Sequence, residues 1–175
     1  MSDDLASFED RLTDCLRDLS ASETQAHLQG KWSVQQIVEH LMLTYSATVD
    51  VVESRIAKGR PTQAKPSLMQ RCGQVYVMHL GYFPRGVRAP EAVVPPTGLV
   101  AETGDELAAR AVERLWQMDA VLAEASLLFG DRKRSVSHII LGPLSLAQWR
   151  RFHVVHGLHH ISQIQATRGA KLAAV

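Results

Sequence analysis

Histidines are the residues of this chain whose type and spacing best fit a chemical role. The sequence has eight of them, and four lie between His153 and His160. On a helix, His156 and His160 are four residues apart, so their imidazoles lie on one face, a turn from each other. This spacing allows two imidazoles to bind the same metal ion. The alternative is a pair of core histidines whose nitrogens are satisfied by hydroxyls and backbone carbonyls.

The segment around this pair is uncharged. Residues 152–167 contain no Asp, Glu, Lys or Arg, which argues against a solvated surface helix. Its polar side chains therefore need partners, because an unpaired polar group in the interior is costly. His153 and Gln163 lie on the same helical face as the pair, whereas His159 points about 60° away from His156.

A third ligand for the same ion is predicted at His40. This residue lies two turns into a helix that begins near Ser33, on the flank of its apolar face. A charged histidine there would be costly, whereas a neutral, metal-bound one would not. Three neutral nitrogen ligands suit zinc, nickel or iron, with manganese as a further candidate, and leave one position open for water or substrate. Considered alone, His40 is better explained as a half-buried capping or packing histidine than as a metal ligand.

Helix-capping signals predict the elements that position these histidines. Ser33, Ser67, Thr103 and Ser145 are each followed three residues later by Gln or Glu, which is the spacing of a capping box. Glycines supply the stop signals, with Gly169 ending the last helix. The predicted helices run near 3–20, 33–58, 67–80, 103–129 and 145–168.

These helices predict an all-α fold. Four long helices and one short helix form a bundle in a single domain over residues 1–175, and no alternating strand pattern of useful length is visible. The stretch 83–98 is rich in proline and is predicted to be a long crossover loop.

Composition limits the classes of protein to consider. Apolar residues make up 46% and charged residues 21% of the chain, which is typical of a globular protein and too apolar for a disordered one. The 19 basic and 18 acidic residues form no basic block, which does not favour nucleic acid or a membrane as a partner. We find no signal peptide, no apolar run near 18 residues and no cysteine pair at ligand spacing, which predicts a cytoplasmic protein.

Two segments resemble a known superfamily. Residues 31–41 (KWSVQQIVEHL) are similar to the second-helix signature of the DinB-like (YfiT-like) superfamily of metalloenzymes. Residues 141–149 (LGPLSLAQW), with the histidines that follow, resemble its fourth-helix signature, and the likeness is greatest to a branch catalogued as a domain of unknown function. The resemblance implies a four-helix bundle that binds a divalent metal through His40, His156 and His160. The short helix at 67–80 and the loop at 83–98 depart from the superfamily pattern.

Several other residues are weaker candidates for the site. His153 could pass a proton or make a structural hydrogen bond, and His138 could lie at the open end of the bundle or simply be exposed. Gln163 and His159 could orient the metal ligands or pack at an interface. The catalytic residues therefore stay unassigned, with His153 and His138 as the candidates.

Two classes of function fit these residues. In the first, the chain is a metal-dependent transferase or hydrolase that acts on a small molecule, and the resemblance implies a low-molecular-weight thiol as co-substrate and a homodimer. Arg85 and Arg88 in the long loop could then bind an anionic substrate, or they could be ordinary solvated residues. In the second, the chain is a non-catalytic metal-binding stress or interaction protein whose metal is structural.

Overall fold

The fold is mostly helical in the computed structural model, which describes residues 3–83, 86 and 88–173. Six α-helices and one two-stranded hairpin are found in this part of the chain. In chain order they are α1 (Asp3–Leu16), α2 (Ala21–Thr24), α3 (Val34–Ala57), α4 (Leu68–Gln74), α5 (Gly104–Phe129), β1 (Val136–His138), β2 (Gly142–Leu144) and α6 (Leu146–Ala173). A π-helical turn (Val75–His79) continues α4, and a 3₁₀ turn (Glu91–Val93) lies within the proline-rich stretch.

The predicted capping boxes set the starts of four helices. The side chains of Ser33, Ser67 and Thr103 each accept a hydrogen bond from the backbone N–H three residues later, and the Gln or Glu there accepts one in return. Ser145 and Gln148 make the same reciprocal pair at the start of α6. Because each box satisfies two N–H groups that the helix leaves unpaired, it fixes where the helix begins.

The two terminal helices end at other residues than predicted. The prediction extends the first helix to residue 20, but α1 ends at Leu16, and Ser20 and Glu23 form a further capping box that starts α2. The prediction ends the last helix before Gly169, but α6 continues to Ala173. The backbone of Gly169 has no positive φ, so this glycine is accommodated within the helix.

A short hairpin at residues 136–144 was not predicted from the sequence. Val136 pairs with Leu144 and His138 with Gly142 in a short antiparallel hairpin. Strands of three residues are too short to show the alternation from which a strand is predicted. The hairpin packs against α3 through β1 and leads directly into α6.

The long helices share one apolar core. α3 packs against α5 and α6, and α1 packs against the same two helices. Fully buried side chains from all four, such as Phe8, Tyr45, Leu115 and Ile164, fill the space between them. Among the described residues, no helix has both the length and the apolar character needed to cross a membrane.

The packing of Phe8 of α1 against α6 depends on Gly157. A Cβ atom at this position would lie 2.2 Å from Cε2 of Phe8, so only glycine fits without movement of the ring or the helix. Gly157→Ala is therefore expected to lower the free energy of unfolding by about 1–3 kcal/mol. Urea unfolding monitored by circular dichroism measures this change.

Gly169→Ala, in the same helix, is the matched control. A Cβ atom at Gly169 meets nothing within 4 Å, and alanine is the better helix former by up to about 1 kcal/mol. The control should therefore be neutral or stabilising. Equal unfolding midpoints for the two variants would contradict the close packing of α1 against α6.

Candidate metal centre

Three histidines from two helices bring one nitrogen each to a common point. His40 comes from α3, and His156 and His160 come from successive turns of α6. Nε2 of His156 lies 3.3 Å from Nε2 of His40 and 3.0 Å from Nε2 of His160. The sequence predicts this set of ligands, and the structure brings the three side chains together as a buried cluster that could hold a metal ion.

Hydrogen bonds fix the orientation of two of these rings. Nδ1 of His40 lies 2.7 Å from the carbonyl oxygen of Val93, to which it can only donate. Nδ1 of His160 lies 2.9 Å from Oε1 of Gln163 and donates to it in the same way. Since a neutral imidazole has one N–H and one lone pair, Nε2 of both rings carries a lone pair that points into the cluster.

This arrangement fits a metal ion better than it fits three histidines alone. If His156 is protonated on Nε2, it donates to either His40 or His160, and the lone pair of the other stays unpaired. A bound ion would accept all three lone pairs. Zinc–nitrogen bonds of about 2.0–2.1 Å in a tetrahedral shell separate the ligand nitrogens by about 3.3–3.4 Å, close to the two Nε2 distances found here.

Burial keeps the cluster neutral. Each of the three side chains is at most 5% exposed. Burial lowers the pKa of His40, although its hydrogen bond to Val93 opposes the shift. Burial, together with the neighbouring histidines, also lowers the pKa of His160 to about 3 and that of His156 well below its usual range. Neutral imidazoles are the form that binds metal.

Aromatic rings surround the cluster. Phe152 stacks on His156 with ring centroids 5.3 Å apart and planes 10° apart. Phe83 approaches His156 from another direction, with centroids 4.9 Å apart, and Trp32 lies 5.0 Å from His40. These rings exclude water from most of the cluster, which strengthens electrostatic interactions inside it.

Gln163 and His159 form a chain of hydrogen bonds behind His160. Gln163 accepts from Nδ1 of His160 with its oxygen, and its amide nitrogen lies 3.0 Å from Nε2 of His159. The ring of His159 in turn packs against Phe83, with centroids 5.4 Å apart. Both residues thus contact a member of the cluster: Gln163 by its hydrogen bond to His160, and His159 by its ring, whose centroid lies 5.3 Å from that of His160.

His153 belongs to a separate buried group. Its Nε2 lies 3.0 Å from Oγ1 of Thr48, whose hydroxyl donates to the carbonyl of Thr44, so the hydroxyl oxygen accepts from His153. Its ring packs against that of Tyr45, with centroids 5.3 Å apart. Within the described residues, neither Nδ1 of His153 nor the hydroxyl of Tyr45 has a hydrogen-bond partner.

His138 is not a member of the buried cluster. His138, at the end of β1, packs on Trp149 and Phe152, and its Nδ1 accepts from the backbone N–H groups of residues 140 and 141. It therefore closes the hairpin turn. Arg88 is exposed, and Arg85 lies outside the described residues.

Most of the residues that support the cluster carry no signal in the sequence. The carbonyl of Val93 is 53 positions from His40 in the sequence, so no local sequence pattern predicts this contact. Trp32 is placed to act as a staple for the start of α3, but its ring also packs against His40. The two phenylalanines are visible only as apolar residues, although the closeness of Phe152 to the histidines of α6 could have suggested its role.

Loss of one imidazole should abolish stoichiometric metal binding. His156→Ala removes the central nitrogen of the cluster and should leave the purified protein with well under one divalent ion per chain after equilibration with zinc or nickel and desalting. Elemental analysis measures the ratio. His27→Ala, at an exposed histidine outside the cluster, is the control and should retain the wild-type ratio. Full retention in both His156→Ala and His160→Ala would rule out this site.

Acid should destabilise the metal-free protein through His153. Burial lowers the pKa of His153 to about 3 in the folded chain, whereas an unfolded histidine titrates near 6.5. Between these values the unfolded chain binds a proton that the folded chain does not, so the free energy of unfolding falls as the pH falls. The contribution of this residue is about 1.4 kcal/mol per pH unit.

His153→Gln removes this contribution and should make the pH dependence shallower by about 1.4 kcal/mol per pH unit, while the contribution of the other buried histidines stays. Urea unfolding between pH 4 and 6.5, with a chelator present, measures the slope for wild type, His153→Gln and the exposed control His27→Gln. The control should follow the wild type. Identical slopes for all three proteins would show that His153 is not kept neutral by burial.

Comparison with known proteins places the chain in a family. No curated protein and no solved structure gave a match to it. One family model does match, described as Protein of unknown function (DUF1569), and the match extends over residues 4–167. This range includes α3, the hairpin and the part of α6 that carries the histidine cluster. The chain is therefore a member of the DUF1569 family.

Proposed function

We propose that this protein is a metal-dependent enzyme of the thiol-transferase or hydrolase type that acts on a small molecule. The observation that carries the proposal is the convergence of Nε2 from His40, His156 and His160, two of them oriented by hydrogen bonds on their far sides. Nitrogen ligands favour zinc or nickel, with iron or manganese as alternatives.

The number of ligands favours catalysis over a purely structural role. The buried cluster has three members among the described residues, whereas structural zinc sites normally have four protein ligands. A divalent ion with an open position acts as a Lewis acid that makes a thiol or a water molecule more acidic. This would supply a nucleophile near neutral pH without a carboxylate base.

Residues around the cluster would orient its ligands and restrict the access of water. The carbonyl of Val93 and the amide of Gln163 hold His40 and His160 in the tautomer that binds metal. Phe83, Phe152 and Trp32 limit the access of water. A substrate would approach a site whose ligands need no rearrangement, which is the condition for efficient electrostatic catalysis.

A DinB-like relationship is part of the same proposal. The resemblance implied one histidine from the second long helix and two from the fourth, and α3 and α6 supply His40, His156 and His160 in this order. We extend this to a DinB-like four-helix bundle formed by α1, α3, α5 and α6, with a low-molecular-weight thiol as co-substrate and a homodimer as the assembly. Arg85 and Arg88 are then candidates for binding an anionic thiol.

A second candidate function is a non-catalytic bundle stabilised by its metal. The observation that favours it is the burial of all three histidines, each at most 5% exposed, beneath aromatic rings. An ion that joins α3 to α6 would stabilise the folded state whether or not substrate reaches it.

Enzymatic activity would be established by turnover, with a thiol or water as the nucleophile, that requires both the metal ion and the histidine cluster. The zinc- or nickel-loaded protein is incubated with small electrophiles and glutathione-like, bacillithiol-like or mycothiol-like thiols, and in parallel with simple ester and amide substrates. We expect turnover that is lost on chelation and falls by at least about 10²-fold in His156→Ala. Loss of thiol and release of product are followed spectroscopically.

His27→Ala is the matched control and should turn over like the wild type. The non-catalytic candidate predicts a different result, in which chelation lowers the melting temperature of the wild type but not of His160→Ala, and no substrate turns over. A closed shell with a fourth protein ligand in a metal-loaded crystal structure, together with absence of turnover, would contradict the enzyme.

A further inference from the structure

Acidic and basic residues lie in different segments of this chain. Residues 54–90 and 132–175 contain fourteen of the 19 basic residues and none of the 18 acidic ones. All the acidic residues therefore lie in residues 1–53 and 91–131, with only five basic ones. The net charge of +1 does not reflect this uneven distribution, because the basic and acidic totals nearly cancel.

The fold brings parts of the two acid-free segments together. Thr62 donates a backbone hydrogen bond to Ser135, at 2.8 Å. The side chain of Gln74 donates to the carbonyl of Leu141, at 2.8 Å, and accepts from Arg134. The loop after α3 and the end of α4 thus contact the hairpin and the residue before it, which brings Arg134 next to α4.

The outward face of α4 and the π-helical turn carries several large apolar side chains, whereas an ordinary surface helix is polar on this face. Gln74, Val77 and Met78 are buried, while Leu68 and Met69 are 80% and 81% exposed. Farther along the same helix, Val75, Tyr76 and Leu80 are also exposed.

The hairpin tip extends this apolar face. Ile139 is 80% exposed, and the adjoining Leu141 lies against Gly73 of α4. We call residues 65–80 and the tip at 139–140 the α4 surface. Lys65 and Arg71 are exposed within it. Arg134 is exposed and donates to Gln74 of α4, and the two residues before it, Arg132 and Lys133, are also exposed.

We propose that the α4 surface docks the protein on the anionic face of a lipid bilayer. Exposed leucine, methionine, isoleucine and tyrosine side chains can enter the interface between headgroups and acyl chains, while lysine and arginine side chains bind anionic headgroups. Each basic residue near such a surface contributes to binding, and no acidic residue of the same segments opposes it.

Other occupants match the surface less well. A symmetric pair of copies would place this basic region against itself, because a two-fold interface joins identical patches. Nucleic acid would neutralise the basic residues, but the exposed aliphatic side chains of Leu68, Met69 and Ile139 would gain nothing from phosphates. An anionic bilayer complements both the positive charge and the apolar side chains of the α4 surface.

The surface adjoins the candidate metal centre. The ring of Tyr82, half exposed, lies 6.4 Å from that of Tyr76, and the next residue, Phe83, packs on His156 and His159. Docking would therefore take place beside the histidine cluster, although it would require neither the metal nor catalysis.

Vesicle sedimentation tests the proposal with the full-length protein. We expect binding to vesicles of phosphatidylcholine containing phosphatidylglycerol, much weaker binding to phosphatidylcholine alone, and release as the salt concentration rises. The double variant Leu68→Glu/Met69→Glu should bind at least about tenfold more weakly. Arg71→Glu should bind at least about fivefold more weakly.

Matched variants elsewhere on the surface separate docking from a general effect of added negative charge. Leu127→Glu/Leu128→Glu alters an exposed pair of leucines, 89% and 58% exposed, at the end of α5. Arg114→Glu reverses an exposed charge on the same helix. Both should bind vesicles like the wild type. Circular dichroism checks that every variant is folded.

Three outcomes would overturn the proposal. One is vesicle binding that is equal for Leu68→Glu/Met69→Glu and its matched control. Another is light scattering that shows self-association of the wild type, abolished in Leu68→Glu/Met69→Glu, without vesicle binding, which would identify a second copy as the occupant. The third is an absence of binding to anionic vesicles even at low salt, which would leave an acidic protein as the better match.

Discussion

The structure depends on the cost of burying three neutral imidazoles against one another. Their Nε2 atoms are separated by 3.0–3.3 Å along the chain of contacts, and their surroundings are aromatic rings rather than water. Charging any one of them would bury a cation, and that cation would repel a second charge on either neighbour. The polar groups around the rings therefore determine which ring nitrogen carries the proton and add no charge. Consistent with this, α6 has no charged residue from Phe152 to Thr167.

Much of the remaining architecture follows from positioning these rings. The capping box at Ser33 sets the start of α3, and hence the turn on which His40 lies. The box at Ser145 does the same for α6. The 3₁₀ turn at residues 91–93 brings one backbone carbonyl to His40 from a distant part of the chain. A stretch with little regular structure thus holds one ring in place.

The sequence allowed prediction of those parts of the fold that depend on local signals. The helix starts at Ser33, Ser67, Thr103 and Ser145 were predictable because a capping box involves residues three apart. The pair in α6 was predictable because a spacing of four defines a helical face, and the resemblance of residues 31–41 and 141–149 to a known superfamily supported the third ligand.

Features that depend on distant contacts or on very short elements were not predictable in this way. The hairpin at residues 136–144 has strands too short to show a period. The partners of His40 and His153 come from other elements, at Val93 and Thr48. Gly169 carried a local stop signal, but the helix continues through it because glycine also tolerates helical φ and ψ.

The glycine beside His156 has a consequence for the precision of the cluster. Because Gly157 has no side chain, the ring of Phe8 packs directly against the backbone of α6. This contact limits how closely α6 can approach α1. Metal–ligand distances tolerate errors of only about 0.2 Å. A lateral displacement of α6 too small to unfold the protein would exceed that tolerance. The geometry that the cluster offers to a metal ion therefore depends in part on α1, through the size and position of the Phe8 side chain.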